Sequence, residues 1–177
     1  MIELQPFERS DFRRLIEWVP SAEFSMQWAG FNFTFPLDEP QLEAYLQYAE
    51  KNPSRRLIWK VAEVDTGTVI GHIELNSIYD HDRKADLCRV LIGPTWRGKG
   101  FGKQMVMKVL EYGFEVLRLH RIQLGVYDFN IPAIRCYEAC GFVKEGLQRE
   151  CRRMGDGWWN NCEMSILEHE WRARKHH

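Results

Sequence analysis

Ten residues, Gly93-Pro94-Thr95-Trp96-Arg97-Gly98-Lys99-Gly100-Phe101-Gly102, constrain this chain more than any other stretch. An apolar strand pattern, Ala85 to Ile92, runs into them, and a helical pattern, Gly102 to Leu117, runs out. Three glycines in the last five residues let the backbone approach a ligand with no Cβ in the way. The helix that follows presents unpaired N–H groups and the positive end of its dipole. The combination is an anion site suited to a phosphate or pyrophosphate, and Arg97 and Lys99 add positive charge.

Two familiar phosphate patterns nearly fit and then fail. The P-loop pattern G-x-x-x-x-G-K-S/T is met by Gly93, Gly98 and Lys99, but Gly100 stands where a hydroxyl residue would hold Mg²⁺. Pro94 also removes one N–H from the cradle. The dinucleotide pattern G-x-G-x-x-G starts at Gly98 and Gly100 but meets Lys103 at its third glycine. The loop also falls past the middle of a chain that opens with hairpin strands, not at the first turn of a βαβ sheet. A glycine turn that merely caps a helix is the plain alternative, and the flanking charges weigh against it.

The rest of the chain reads as one α+β domain over residues 1–177. Ile2 to Pro6 is a strand. Ser10 is an N-cap candidate for a helix carrying Phe12, Leu15, Ile16 and Val19, closed by Pro20. Phe24 to Pro36 is aromatic and irregular. A second helix runs from Glu39 to Lys51. Strands Leu57–Val64 and Thr68–Ile78 flank an Asp65-Thr66-Gly67 turn, and Gly71 marks a bulge or bend. The helix after the glycine loop buries Met105, Val106, Val109, Leu110, Gly113, Val116 and Leu117. Strand Arg121–Tyr127, helix Pro132–Ala139 and a hairpin about Gly155-Asp156-Gly157 complete the pattern. His176 and His177 are given no role.

Composition excludes some partners. Lys plus Arg total 24 against 25 Asp plus Glu, so no basic excess points to nucleic acid. No stretch approaches the roughly 20 apolar residues of a membrane span, and the first residues carry no secretory signal. The five cysteines form no C-x-x-C pair, which fits reduced thiols and a cytoplasmic location.

Arg97 to Gly102 matches R/Q-x-x-G-x-G/A, and Asn130 to Phe142 matches N-x-x-A-x-x-x-Y-x-x-x-G-F. With these two motifs in this order, the chain resembles the GNAT superfamily of N-acetyltransferases. Leu119-His120-Arg121-Ile122, the run Gly141 to Gly146 and the Arg-rich final hairpin are most similar to the branch of ribosomal-protein N-terminal and spermidine acetyltransferases. The resemblance implies a mixed, mostly antiparallel sheet of about seven strands with helices on both faces. It implies acetyl-CoA as co-substrate, no metal, and an amine acceptor, either a small molecule or a protein N-terminus. Backbone N–H groups of Arg97, Gly98, Lys99, Gly100, Phe101, Gly102 and Lys103 would hold the pyrophosphate. Val90, Leu91 and Ile92 would part from their neighbour near Tyr127 and pair with the pantetheine arm like an added strand. A backbone N–H near Leu91 would polarise the thioester oxygen, and Asn130 would bond the cofactor arm.

Tyr137 takes the place of the general acid that protonates the departing thiolate. An amine with a pKa of about 10 must first lose a proton. Glu74 is the first candidate base, then Asp86, then His72, with a water relay as the alternative. Strand alternation puts His72, Glu74 and Asn76 on one face; if that face meets solvent, all three are ordinary surface residues. Trp28, Phe31, Phe33, Phe35, Trp158 and Trp159 border the acceptor site in similar folds. A non-catalytic acyl-CoA sensor is the rival reading, and the late aromatic hairpin is a candidate homodimer surface.

Overall fold

The computed structural model describes residues 1–53 and 55–174, so His176 and His177 lie outside the described residues. Seven strands form one sheet: β1 Ile2–Pro6, β2 Leu57–Glu63, β3 Val69–Tyr79, β4 Lys84–Ile92, β5 Arg121–Tyr127, β6 Val143–Met154 and β7 Gly157–Leu167. Their order is β1-β2-β3-β4-β5-β7-β6. All neighbours are antiparallel except β4 and β5. That parallel pair is short. Lys84, Ala85 and Asp86 pair with Arg121, Ile122 and Gln123, and beyond Asp86 the two strands part. The expected splay is therefore present.

Six α-helices pack on the sheet: α1 Phe12–Glu17, α2 Ala22–Ala29, α3 Glu39–Lys51, α4 Phe101–Glu111, α5 Ile131–Cys140 and α6 Glu168–Arg174. They cover two separate cores. The larger joins Ile73, Leu75 and Leu87 to Met105, Val109 and Ile122. The smaller, under α1 to α3, is aromatic and contains Phe7, Phe12, Phe33, Leu42 and Tyr45. Each fully buried Leu or Ile contributes roughly 1.5–3 kcal/mol, so these contacts, more than helix propensity, hold the helices down.

The structure departs from the sequence reading in four places. Ser10 is not a cap: a 3₁₀ turn over Arg9–Asp11 starts the first helix early, and the Asp11 carboxylate accepts the Glu8 N–H at 3.0 Å. The segment read as irregular contains α2, capped by the Ser21 hydroxyl, which accepts the Phe24 N–H at 3.1 Å. Its apolar residues Phe24, Met26 and Trp28 alternate with polar ones, which hides the helical period. Ser25 and Ala29 are its buried pair, spaced one turn apart.

Past α4 the chain makes a π turn over Tyr112–Val116. The wider turn rotates the phase of the buried stripe. Phe114 is buried and Val116, expected in the stripe, is 60% exposed. Finally, α6 was not foreseen because only Trp171 in it is buried. Its Arg174 lies over Gly141, the left-handed residue that ends α5 with φ 100°, and donates to the Ala139 carbonyl at 2.8 Å. The Gly71 expectation holds: the β2–β3 register shifts beside it, at Val61/Ala62.

Candidate active site

The parting of β4 from β5 opens a cavity of about 540 Å³. The glycine loop closes one end. After Ile92 the chain takes a 3₁₀ turn, Pro94–Trp96, and Gly98 and Gly100 follow in left-handed conformation with φ 75° and 80°. A side chain would be strained at both. Gly100 caps α4, so the first-turn N–H groups of Phe101, Gly102 and Lys103 have no partner within the helix. Trp96, Arg97, Gly98, Gly100, Phe101 and Gly102 line this end. Arg97 pins the loop by donating Nε to the Ile92 carbonyl at 3.1 Å, and its guanidinium lies 5.3 Å from the Phe24 ring centre. The Lys99 ammonium sits over Trp96 at 4.8 Å rather than in the cavity.

From the β5 side come α5 and its preceding turn. Asn130 caps α5, its Oδ1 accepting the Ala133 N–H at 3.3 Å, and it lines the cavity. Tyr137 stands two turns on, buried, against Phe142 and at the cavity wall. Burial above all pushes its phenol well up from the usual value, with the neighbouring Cys136 adding to it. A phenol so placed keeps its proton, as a general acid must. Burial likewise pushes the Cys88 thiol, on the facing strand, up to about 12. A hydrogen bond with Cys140 moves Cys136 the other way.

The β3–β4 register shifts twice, between Asn76 and Tyr79 and between His72 and Glu74, and the second shift bears on the cavity wall. Leu91 pairs with His72 and Cys88 with Glu74, so β4 holds one residue more than β3 between these points. The bulge is at Arg89, whose φ is 50°. Leu87 and Val90, three apart, both pack on the larger core, and Arg89 turns to the opposite face. There it meets a buried cluster. Arg89 Nη1 donates to Glu74 Oε2 in a very short contact. Tyr45 donates its hydroxyl to the same oxygen at 2.6 Å, and Arg56 Nε is 3.1 Å from Glu74 Oε1. The Tyr45 hydroxyl also lies 3.2 Å from His72 Nε2.

This cluster corrects the choice of base. The face carrying His72 and Glu74 is buried, not solvated; Glu74 is 0% exposed and His72 2%. Neither lines the cavity. The Glu74 carboxylate is held between two guanidinium groups and a phenol. Burial first, and then Arg89, drive the His72 imidazole down to about 3, which makes it a weak base. Asp86 sits at the fork of β4 and β5, accepts the Gln123 amide at 2.8 Å and is also outside the cavity wall.

Of the six aromatic residues expected at the acceptor site, only Trp28 lines the cavity. Phe33 stacks behind it at 5.6 Å. Phe31 lies under Arg152 at 4.5 Å, Phe35 and Trp158 are exposed, and Trp159 packs on Tyr127 and Phe129 at 4.8 Å. Arg89 and Asn161 line the cavity and were missed; Asn76, read only as sharing a face with His72 and Glu74, lines it too. The single charge inside the apolar run Leu87–Ile92 was the one signal for Arg89.

Among the described residues no group of three or more His, Cys, Asp or Glu side chains could hold a metal. Among them, too, no helix is long and apolar enough to cross a membrane.

Known proteins share this arrangement. The model of the acetyltransferase (GNAT) family matches residues 22–142. The spermidine N(1)-acetyltransferase of Vibrio cholerae is 30% identical over 145 residues, covering 82% of this chain and 80% of that protein. Its counterpart from Escherichia coli K12 is 28% identical over 172 residues, covering 97% and 89%. The crystal structure of the Vibrio cholerae spermidine N-acetyltransferase with CoA and spermine superposes with a TM-score of 0.84 at 26% identity, covering 96% of this chain and 97% of that one. The glycine loop, the parted strands and the buried tyrosine thus have a common meaning: this chain belongs to the GNAT acetyltransferase family and is an enzyme that uses acetyl-CoA to acetylate an amine.

Proposed function

We propose that the acceptor is a small primary amine that attacks the thioester directly, with both substrates bound, and that Tyr137 is the general acid. The observation that carries this reading is a protonated, buried phenol at the wall of the gap between β4 and β5, with the anion-binding loop at the end of the same gap. The N–H groups from Gly98 to Lys103 bind the pyrophosphate. The β4 edge at Val90 to Ile92, unpaired on its β5 side, takes the pantetheine arm as an added strand. The N–H near Leu91 polarises the carbonyl oxygen, and Asn130 orients the arm. Acetyl-CoA supplies the activated acetyl group. As the amine's nitrogen bonds to the acetyl carbon, the C–S bond breaks and Tyr137 gives its proton to the sulfur.

Among the described residues no carboxylate lines the cavity, which supports loss of the amine's proton through water rather than to a dedicated base. The activity named for the relatives, acetylation of spermidine, supports a small amine over a protein N-terminus. The free thiols of all five cysteines support the cytoplasm as its compartment. Exposed Val143, Leu147 and Trp158 on the β6–β7 hairpin support self-association there, and a related enzyme is described as dodecameric.

The test is free-thiol release from acetyl-CoA with an N-terminal peptide, spermidine and an aminoglycoside, for wild type and Tyr137→Phe. Release that depends on an acceptor, and falls at least about tenfold in the variant, is expected. Tight acetyl-CoA binding without release for any amine would favour the sensor reading.

A further inference from the structure

The acceptor end of the cavity is short of negative charge. Two arginines line the cavity, Arg97 at the loop and Arg89 in the β4 wall, while among the described residues no Asp or Glu does. The relatives named for spermidine act on a polycation. A polycation needs carboxylates around it, because a buried ammonium without a partner is strongly disfavoured.

The cluster behind the wall has the opposite need. Arg89 and Arg56 share a single carboxylate, Glu74. The other members, Tyr45 and His72, are held neutral, since burial raises the phenol and lowers the imidazole. The cluster therefore carries one net positive charge, with Arg56 at its half-buried edge and Arg89 at its buried end, and an anion near Arg89 would balance it. Arg89 is the member that reaches the cavity; it is 6% exposed, and its Nε is buried without a hydrogen-bond partner. Trp28, also in the wall, holds a second buried donor without a partner, its indole Nε1. Unmet donors on the edge of a net-positive cluster, beside one cavity, suit a carboxylate, to which an arginine can bind through paired N–H groups.

We infer that Arg89, supported by Trp28, forms a carboxylate subsite at the acceptor end, so that the enzyme acetylates a primary amine carrying a carboxylate and not a polyamine. The inference rests on the acetyl-transfer reading above. Within the small amines proposed above, this chemistry is that of a free amino acid; a protein N-terminus that begins with an acidic residue offers the same carboxylate and is separated by the experiment.

The experiment compares matched acceptors in wild type: an L-amino acid, its amide, its decarboxylated amine, spermidine, and peptides beginning with glutamate or glutamine. Carboxylate-bearing amines are expected to exceed their neutral partners, and spermidine, at least tenfold in kcat/KM. The free amino acid and the glutamate peptide separate the two sources. Arg89→Met, and Trp28→Phe where Arg89→Met fails to fold, should raise KM for carboxylates selectively, with Arg89→Lys restoring part of the preference. Spermidine or amides used as well as carboxylates, or an equal loss with every acceptor, would overturn the assignment. A second arm needs no turnover. Titration of the CoA-loaded protein with the same acid lacking its amine should show binding at least tenfold tighter than its amide. If no amine is acetylated, the acetyl-transfer reading fails, and this titration alone decides the subsite: equal or absent binding overturns it.

Discussion

The larger core joins β3, β4 and β5 to α4 through Ile73, Leu75, Leu87, Met105, Val109 and Ile122. The smaller core, beneath α1 to α3, encloses Asp11, Ser25, His72, Glu74 and Arg89 among its aromatic rings; elsewhere among the described residues only Ser165 is a buried polar group. The two sides of one sheet thus follow different physical rules. The apolar side gains stability from burial and packing, which tolerate exchange of one hydrophobic residue for another of similar size. The aromatic side carries an ion cluster whose desolvation offsets much of its attraction, so the cluster adds little net stability. It holds Arg89 at the cavity wall instead.

The contrast is sharpest in activity. Tyr137→Phe should lower kcat by roughly 10²–10⁴ with little change in Tm, because the hydroxyl faces the cavity and the ring still packs on Phe142. Rapid-quench or steady-state thiol release checks it; an unchanged kcat removes Tyr137 as the acid. Next in size is the cluster itself. Glu74→Leu leaves the buried Arg89 and the half-buried Arg56 without their carboxylate and should cost about 3–5 kcal/mol by urea unfolding. Ile73→Val, its neighbour on the apolar side, should cost about 1 kcal/mol. Equal costs would erase the distinction between the two cores.

Acid should unfold the aromatic side for a further reason. His72 binds a proton only near pH 3 in the fold but near its ordinary 6.5 when unfolded. The unfolded chain therefore takes up more protons between those values. Stability falls as pH drops from about 6.5 towards 3, by an amount on the order of a few kcal/mol. In His72→Leu the urea midpoint should change less over this range; the same slope as wild type would place the effect elsewhere. The smallest effect belongs to the surface. Arg13→Ala breaks a 3.0 Å pair with Glu17, in which the side chains are 88% and 61% exposed, and should change stability by less than about 0.5 kcal/mol.

The same two sides differ in how far residue order reveals them. The cofactor side was readable because its demands are local. Left-handed turns call for Gly98 and Gly100, a helix start calls for Asn130, and Tyr137 follows at a fixed offset within α5. The aromatic side was not, because its residues are assembled across the fold. Glu74 meets Tyr45 from α3, Arg56 from the turn before β2 and Arg89 from a bulge. Nothing in a run such as Leu87-Cys88-Arg89-Val90 announces that one residue is extra, and an arginine at φ 50° is held there by its partners rather than by its own preference. The alternation His72-Glu74-Asn76 was read correctly as one face, but its burial depends on α1 to α3, and α2 had not been recognised.

The bond from Arg174 to the Ala139 carbonyl ties α6 to the C-terminal turn of α5, the helix that carries the proposed acid. Ala139 lies two residues past Tyr137 on the same helix, and the left-handed Gly141 that ends the helix sits beneath the arginine stem. The closing helix is thus a brace on the rod that carries Tyr137. A bulky fusion that levers α6 away would loosen the C-terminal turn of α5 and leave the glycine loop untouched, lowering turnover while acetyl-CoA still docks.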